Sequence, residues 1–127
     1  MNITVNEFSS SVQKILQEYG DSVRETINEI IPETGKEAKK RLKQESPQRT
    51  GAYSRSWAVQ NTKTRLGVTS EVHNKEKYRL THLLEYGHIA KNGKRVGARP
   101  HIAKVNEWAV DELFNRLTTA IQSGRTI

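Results

Sequence analysis

The sequence predicts an α+β fold: a long N-terminal helix, a small antiparallel sheet, a short helix, a basic loop and a C-terminal helix. Three observations carry this. Apolar residues recur every three or four positions near both ends of the chain, two stretches between about 53 and 72 alternate with period two, and Pro and Gly mark the changes of pattern. At 127 residues the chain has the length of one domain, taken as 1–127, with a real but modest core.

Phe8, Val12, Ile15, Leu16, Tyr19, Val23, Ile27 and Ile30 fall on one helical stripe, which predicts a helix from about 6 to 31. Asn6 or Ser9 is placed to cap it. Gly20 costs about 1 kcal/mol relative to Ala inside a helix and is a candidate bend. Pro32 interrupts the run, but residues 33–45 resume helical propensity with Ala38 and Leu42 as apolar contacts. The two stretches can therefore form one helix kinked near Pro32. The segment 46–51, Ser-Pro-Gln-Arg-Thr-Gly, ends the helix in a turn.

Tyr53, Arg55, Trp57 and Val59 then alternate with smaller or polar residues, as do Leu66, Val68, Ser70 and Val72 after a polar Asn-Thr-Lys-Thr break, which predicts two strands of a hairpin. A sheet of two strands is weak alone, so helices must cover one face; a third short strand remains compatible with the pattern. From about 76 to 86 the helical pattern returns, with Leu80, Leu83 and Leu84 on one side and Gly87 as a left-handed cap. Residues 88–99 are expected to be a loop. Pro100 suits the first turn of a last helix carrying Ile102, Val105, Ala109, Leu113, Leu117 and Ile121, and the final Ser-Gly-Arg-Thr-Ile is expected to fray.

Cysteine is absent, which excludes disulfides, thiolate metal sites and cysteine nucleophiles. No signal-peptide pattern opens the chain and its apolar runs are too short to span a bilayer, so a soluble protein made in the cytoplasm is expected. The net charge of +7 is unevenly placed. Residues 1–35 carry six acidic and two basic groups, whereas 36–49 carry six basic and two acidic, and 50–106 carry eleven basic and three acidic. Such a division can steer subunits head to tail or present a basic surface to nucleic acid.

The stretch 83–102 concentrates glycine, histidine and basic residues, and invites tests for chemistry. A phosphate loop fails: five residues separate Gly87 from Gly93 where the motif has four, and Arg95 follows Lys94 where Ser or Thr is needed. A metal site would need His82, His88 and His101 to converge with Glu85, and solvent-facing or hydrogen-bonded histidines are the simpler expectation. A small basic ribonuclease would combine Glu85, His82 or His88 and Arg99, a cluster that spacing alone does not supply. A nucleic-acid-binding module would use the cations with Tyr53, Trp57, Tyr78 and Tyr86, although Trp57, central in its strand, is better assigned to the core. No catalytic, metal or cofactor residue is assigned.

Two segments together resemble the phage head-tail joining family, the neck or tail-completion proteins of long-tailed phages named after a gene-ten product. The first matches that family's Pro-x-x-Thr-Gly-x-Leu-x-x-Ser signature through Pro47, Thr50, Gly51 and Ser56. The second matches its Tyr, Glu-x-Gly, Arg-Pro-Phe pattern through Tyr78, Glu85, Gly87, Arg99 and Pro100. The chain departs from the pattern at Tyr53, where Leu is usual, at His88 for Thr, at His101 for Phe and at Lys104 for a second Pro.

The resemblance implies a structural virion protein at the neck, a homo-oligomeric ring between portal or head-closure proteins and the tail, with no enzyme activity and no cofactor. Thr50 and Gly51 are then turn residues that hand the long helix over to the sheet. Glu85 is expected to anchor the following loop, through its amides or through Arg99. Lys91, Lys94 and Arg95 become candidate assembly contacts or groups facing DNA in the channel.

Overall fold

A computed structural model describes residues 1–48, 51–65 and 67–124. Its elements are β1 (Ile3–Val5), α1 (Ser10–Tyr19), α2 (Arg24–Glu45), α3 (Ala52–Arg55), β2 (Trp57–Thr64), β3 (Gly67–Asn74), α4 (Thr81–Tyr86), β4 (His88–Ile89), β5 (Arg95–Val96) and α5 (Ile102–Gln122). The fold is α+β. Short 3-10 turns at Gly20–Val23 and Tyr78–Leu80 lead into α2 and α4.

The N-terminal helical run starts at Ser10, later than the expected 6, because Ile3–Val5 pairs with β3 instead. Ser9 is the cap, its hydroxyl accepting the Val12 amide at 3.4 Å. The run tightens to 3-10 at Gly20 and then continues through Pro32 to Glu45. Pro32 lacks only the amide that would reach back one turn, and a helix held by packing on both sides tolerates that loss. Phe8, assigned to the buried stripe by periodicity, lies before the helix and is exposed.

β1, β3 and β2 form an antiparallel sheet in the order β1-β3-β2. Ile3 and Val59 flank Val72 across the register, and Val68, Ser70, Val72 and Asn74 on the same face of β3 are buried. α2 lies across this face, and α5 packs against α2 and the β1 edge, so the core sits between sheet and helices. Arg41 on α2 stacks its guanidinium over Trp108 on α5 at 4.0 Å, adding a cation–π contact to that helix pair. Glu7, buried after β1, is ion-paired to Arg24 at 2.7 Å and so ties the strand to the start of α2.

Two expectations for the hairpin change. Tyr53 and Arg55 are not in a strand: Gly51 takes φ +80°, and residues 52–55 form one helical turn that points Tyr53 and Ser54 inward. An alternation of four residues does not distinguish such a turn from a strand. The polar 61–64 segment is not a break but the end of β2, paired from Asn61–Ser70 to Thr64–Gly67. On an edge strand that extends beyond the helix layer, both faces meet water, so the residues are polar throughout. Trp57, assigned to the core, is buried there.

Gly35 sets how closely α2 approaches the sheet. A Cβ at that position would lie 2.7 Å from the Ser70 Cβ and 3.5 Å from a Val59 methyl. Gly35→Ala should therefore gain helix propensity yet destabilise the protein by roughly 1–3 kcal/mol, because overpacking outweighs propensity. Urea unfolding followed by Trp fluorescence reads the difference; an unchanged or higher midpoint would refute the close approach.

Candidate functional site

The two motif segments meet in a buried polar knot between α2, α3, α4 and the start of α5. Glu85, on the inner face of α4, is its centre. One carboxylate oxygen accepts the amides of His101 and Ile102, each at 2.8 Å, and the other accepts the Ala103 amide at 2.9 Å. The first amides of a helix lack intrahelical partners and carry the positive end of its dipole, so a carboxylate from a neighbouring helix is a full cap for α5. His101, the N-cap residue, has no side-chain cap bond of its own. Glu85 therefore anchors a helix start, not the loop, and it does so through amides and not through Arg99.

His101 extends the knot. Its Nδ1 stands 2.8 Å from the Arg99 carbonyl and 3.3 Å from Glu85, and both neighbours are acceptors, which places a proton on Nδ1. In the neutral ring Nε2 then accepts the Tyr53 hydroxyl at 2.7 Å. Tyr53, Trp57 and His101 meet edge to face, with centroids 5.5 to 6.2 Å apart. Trp57 Nε1 donates to the Ser46 hydroxyl at 2.8 Å, and that hydroxyl donates to the Leu42 carbonyl at the end of α2. Asn74, buried at the end of β3, donates to the Tyr53 carbonyl at 3.0 Å and accepts the Lys77 amide at 2.8 Å. Every element that meets here is tied by at least one polar bond.

The electrostatics agree with this geometry. Burial alone would push the Glu85 carboxyl up, but the amide bonds from His101, Ala103 and Ile102, with His101 nearby, hold it below its ordinary 4.5. Burial, then the Glu85 charge, push the Tyr53 phenol well above its usual range, so it stays a donor. Glu85 has its oxygens committed to capping, which leaves it unsuited to act as the base of a nuclease. His82 is exposed and His101 is buried, so they do not converge. Among the described residues no group of three His, Asp or Glu side chains is placed to hold a metal ion.

Residues 88–99 hold a small hairpin where a loop is expected. β4 and β5 pair His88 with Val96 and Ile89 with Arg95. Ala90 and Lys94 bond across the turn at 2.8 Å, and Gly93 takes φ +80°. The Asn92-Gly93 pair is the sequence signal for this turn, and it is a weak one because the flanking residues do not alternate strongly. Lys91, Lys94 and Arg95 are all exposed on it. Its base is fixed by main chain: the Arg99 amide donates to Leu84 at 2.7 Å, while the Arg99 side chain is exposed. Gly87 is not a left-handed cap but takes φ +78°, ψ 174°, and a Cβ there would lie 2.6 Å from the Val96 carbonyl. Only glycine fits that crossing.

The other motif residues have local duties. Ser56 donates to the Ala52 carbonyl at 2.7 Å and its carbonyl accepts Lys75. Pro47 is half-buried beyond α2, and Tyr78 is exposed beneath the Arg79 guanidinium. Pro100 is not in the first turn of α5 but stands just before its N-cap. On α4 the buried face is Thr81 and Glu85, whereas Leu80, expected inside, is exposed and Leu83 and Leu84 are half-buried. Thr50 and the tail 125–127 lie outside the described residues.

A family model described as "Bacteriophage HK97-gp10, putative tail-component" matches residues 10–87, more than half of the chain. No curated protein and no solved structure matches.

Two outcomes follow from the knot. A carboxyl lowered on folding stabilises fully above its ordinary 4.5 and loses that contribution as pH falls from there through its folded value. Glu85→Gln, whose amide nitrogen cannot accept the Ala103 amide, should cost roughly 2–3 kcal/mol near pH 7 and flatten the acid limb of a stability-against-pH curve. An acid limb as steep as the wild type's would remove Glu85 from this role. Tyr53→Leu and His101→Phe should each cost roughly 1–3 kcal/mol, and the double variant clearly less than their sum, since replacing both partners leaves neither side of the Tyr53–His101 bond orphaned. Strict additivity in the unfolding midpoints would contradict the coupling.

Proposed function

Because the chain belongs to the HK97-gp10-like family of bacteriophage tail components, we propose that it is a structural neck protein, a tail-completion subunit that forms a ring between the portal or head-closure proteins and the tail-terminator protein. All 127 residues would act as one head-tail joining domain. Its place is then the virion, after synthesis in the host bacterium, and its mechanism is assembly, not catalysis.

The observation that best supports this reading is the use to which the motif residues are put. Glu85, Gly51, Gly87 and Ser56 hold elements together around a closed knot, and a cationic hairpin with Lys91, Lys94 and Arg95 is left outside it. A rigid body with a projecting arm suits a ring component. Among the described residues no helix is long and apolar enough to cross a membrane. The hairpin cations also suit weak, sequence-independent contact with DNA passing through the channel.

Electron microscopy of purified virions should place a ring of this chain at the head-tail junction, and deletion of its gene should leave filled heads and separate tails. Density at the junction that cannot hold this chain would reject the proposal. The competing nucleic-acid reading expects tight DNA or RNA binding by the isolated protein that falls steeply with salt, or cleavage lost in His82→Ala.

A further inference from the structure

A ring needs two different complementary surfaces on each subunit, because every contact joins one face of a copy to another face of the next. Two exposed apolar patches of unlike charge are present. The first is the hairpin: Tyr86 and Ile89 are each more than 60% exposed, Val96 is open on the opposite side, and Lys91, Lys94 and Arg95 surround them. A two-stranded ribbon this short is marginal in water, and this one is exposed on both faces. The second patch lies between α1 and α5, where Val110 and Phe114, both more than 40% exposed, floor an open groove of about 490 Å³ with Ser10, Ser11 and Lys14. Asp111 lines the groove and Glu107, one turn earlier on α5, is exposed.

We infer that the hairpin of one copy docks in the α1/α5 groove of the next, with Ile89 on Val110 and Phe114 and with Lys94 and Arg95 facing Asp111 and Glu107. The inference rests on the ring reading and deepens it by naming the two faces. Within one subunit the pair cannot meet: Phe114 is twelve residues beyond Ile102, about 18 Å along α5 from the end where the hairpin is rooted, and each hairpin strand spans only about 7 Å. The occupant is a second copy because both patches are apolar and their net charges are opposite, three cations on the hairpin against Asp111 and Glu107 with Lys14 at the groove, and a heterologous contact of this kind repeats around a ring.

The natural absence of cysteine makes a direct test possible. Ile89→Cys with Phe114→Cys in one chain, oxidised mildly as concentrated protein and in assembled particles, should give a ladder of disulfide-linked multimers, since a disulfide requires Cα atoms within about 7 Å. Each single variant should give no ladder. Asp111→Lys with Glu107→Lys should cut the yield about tenfold, and adding Lys94→Glu with Arg95→Glu should restore it. These positions are exposed, so circular dichroism is expected to be unchanged in every variant. No ladder in either preparation, dimers from Ile89→Cys alone as the main product, or a yield indifferent to charge reversal would overturn the inference. A ring seen in virions without this cross-link would reject the docking and leave the ring intact; a ladder from particles whose necks lack the chain would do the reverse.

Discussion

The carboxylate of Glu85 is the contact on which the rest of this structure depends. A six-residue helix, too short to be stable by itself, reaches across to the first turn of a twenty-one-residue helix and satisfies three of its amides. Without that anion the start of α5 would be buried with orphaned donors, a cost comparable to a large part of a small domain's net stability. The charge is held in place by the helix it caps. In turn it fixes where α4 stops, where the hairpin leaves and returns, and how α5 enters the core.

Around Glu85 the protein uses polar bonds where a larger core would use hydrocarbon alone. Tyr53, His101, Trp57, Ser46 and Asn74 are all nearly water-free, and each has a partner. Such a network gains modest stability per bond but penalises any arrangement that leaves a member unpaired. Tyr53 and His101, the two departures from the expected motifs that fall inside this network, belong together. The two share one buried hydrogen bond, so each supplies the other's partner.

Much of the architecture was legible from periodicity, because the long helices expose one face and bury the other over many turns. α5 is the clearest case: Ile102, Val105, Ala109, Leu113 and Leu117 were expected inside and are buried. Short elements were not legible. Three residues of β1 and one turn of α3 are below the length at which a pattern differs from chance, and only the partner strand or the fit of Tyr53 decides them. The buried face of α4 was misassigned because its leucines outrank Glu85 on any hydrophobic scale. A charge goes inside only when a helix end awaits it, and that end lies sixteen residues away in sequence. Gly35 gave no warning either, since its close neighbour Ser70 is on another element.

The sheet order has a consequence for how the chain is made. β1 is translated well before its partner β3, with Ile3 opposite Val72. The early strand must wait, unpaired, for more than half of the chain, and such non-local pairing forms slowly. The groove between α1 and α5 comes later still, because one of its walls, α5, follows β3 in the chain. A nascent chain thus has no complete groove until α5 has emerged, and the inferred docking would be delayed by the order of translation itself.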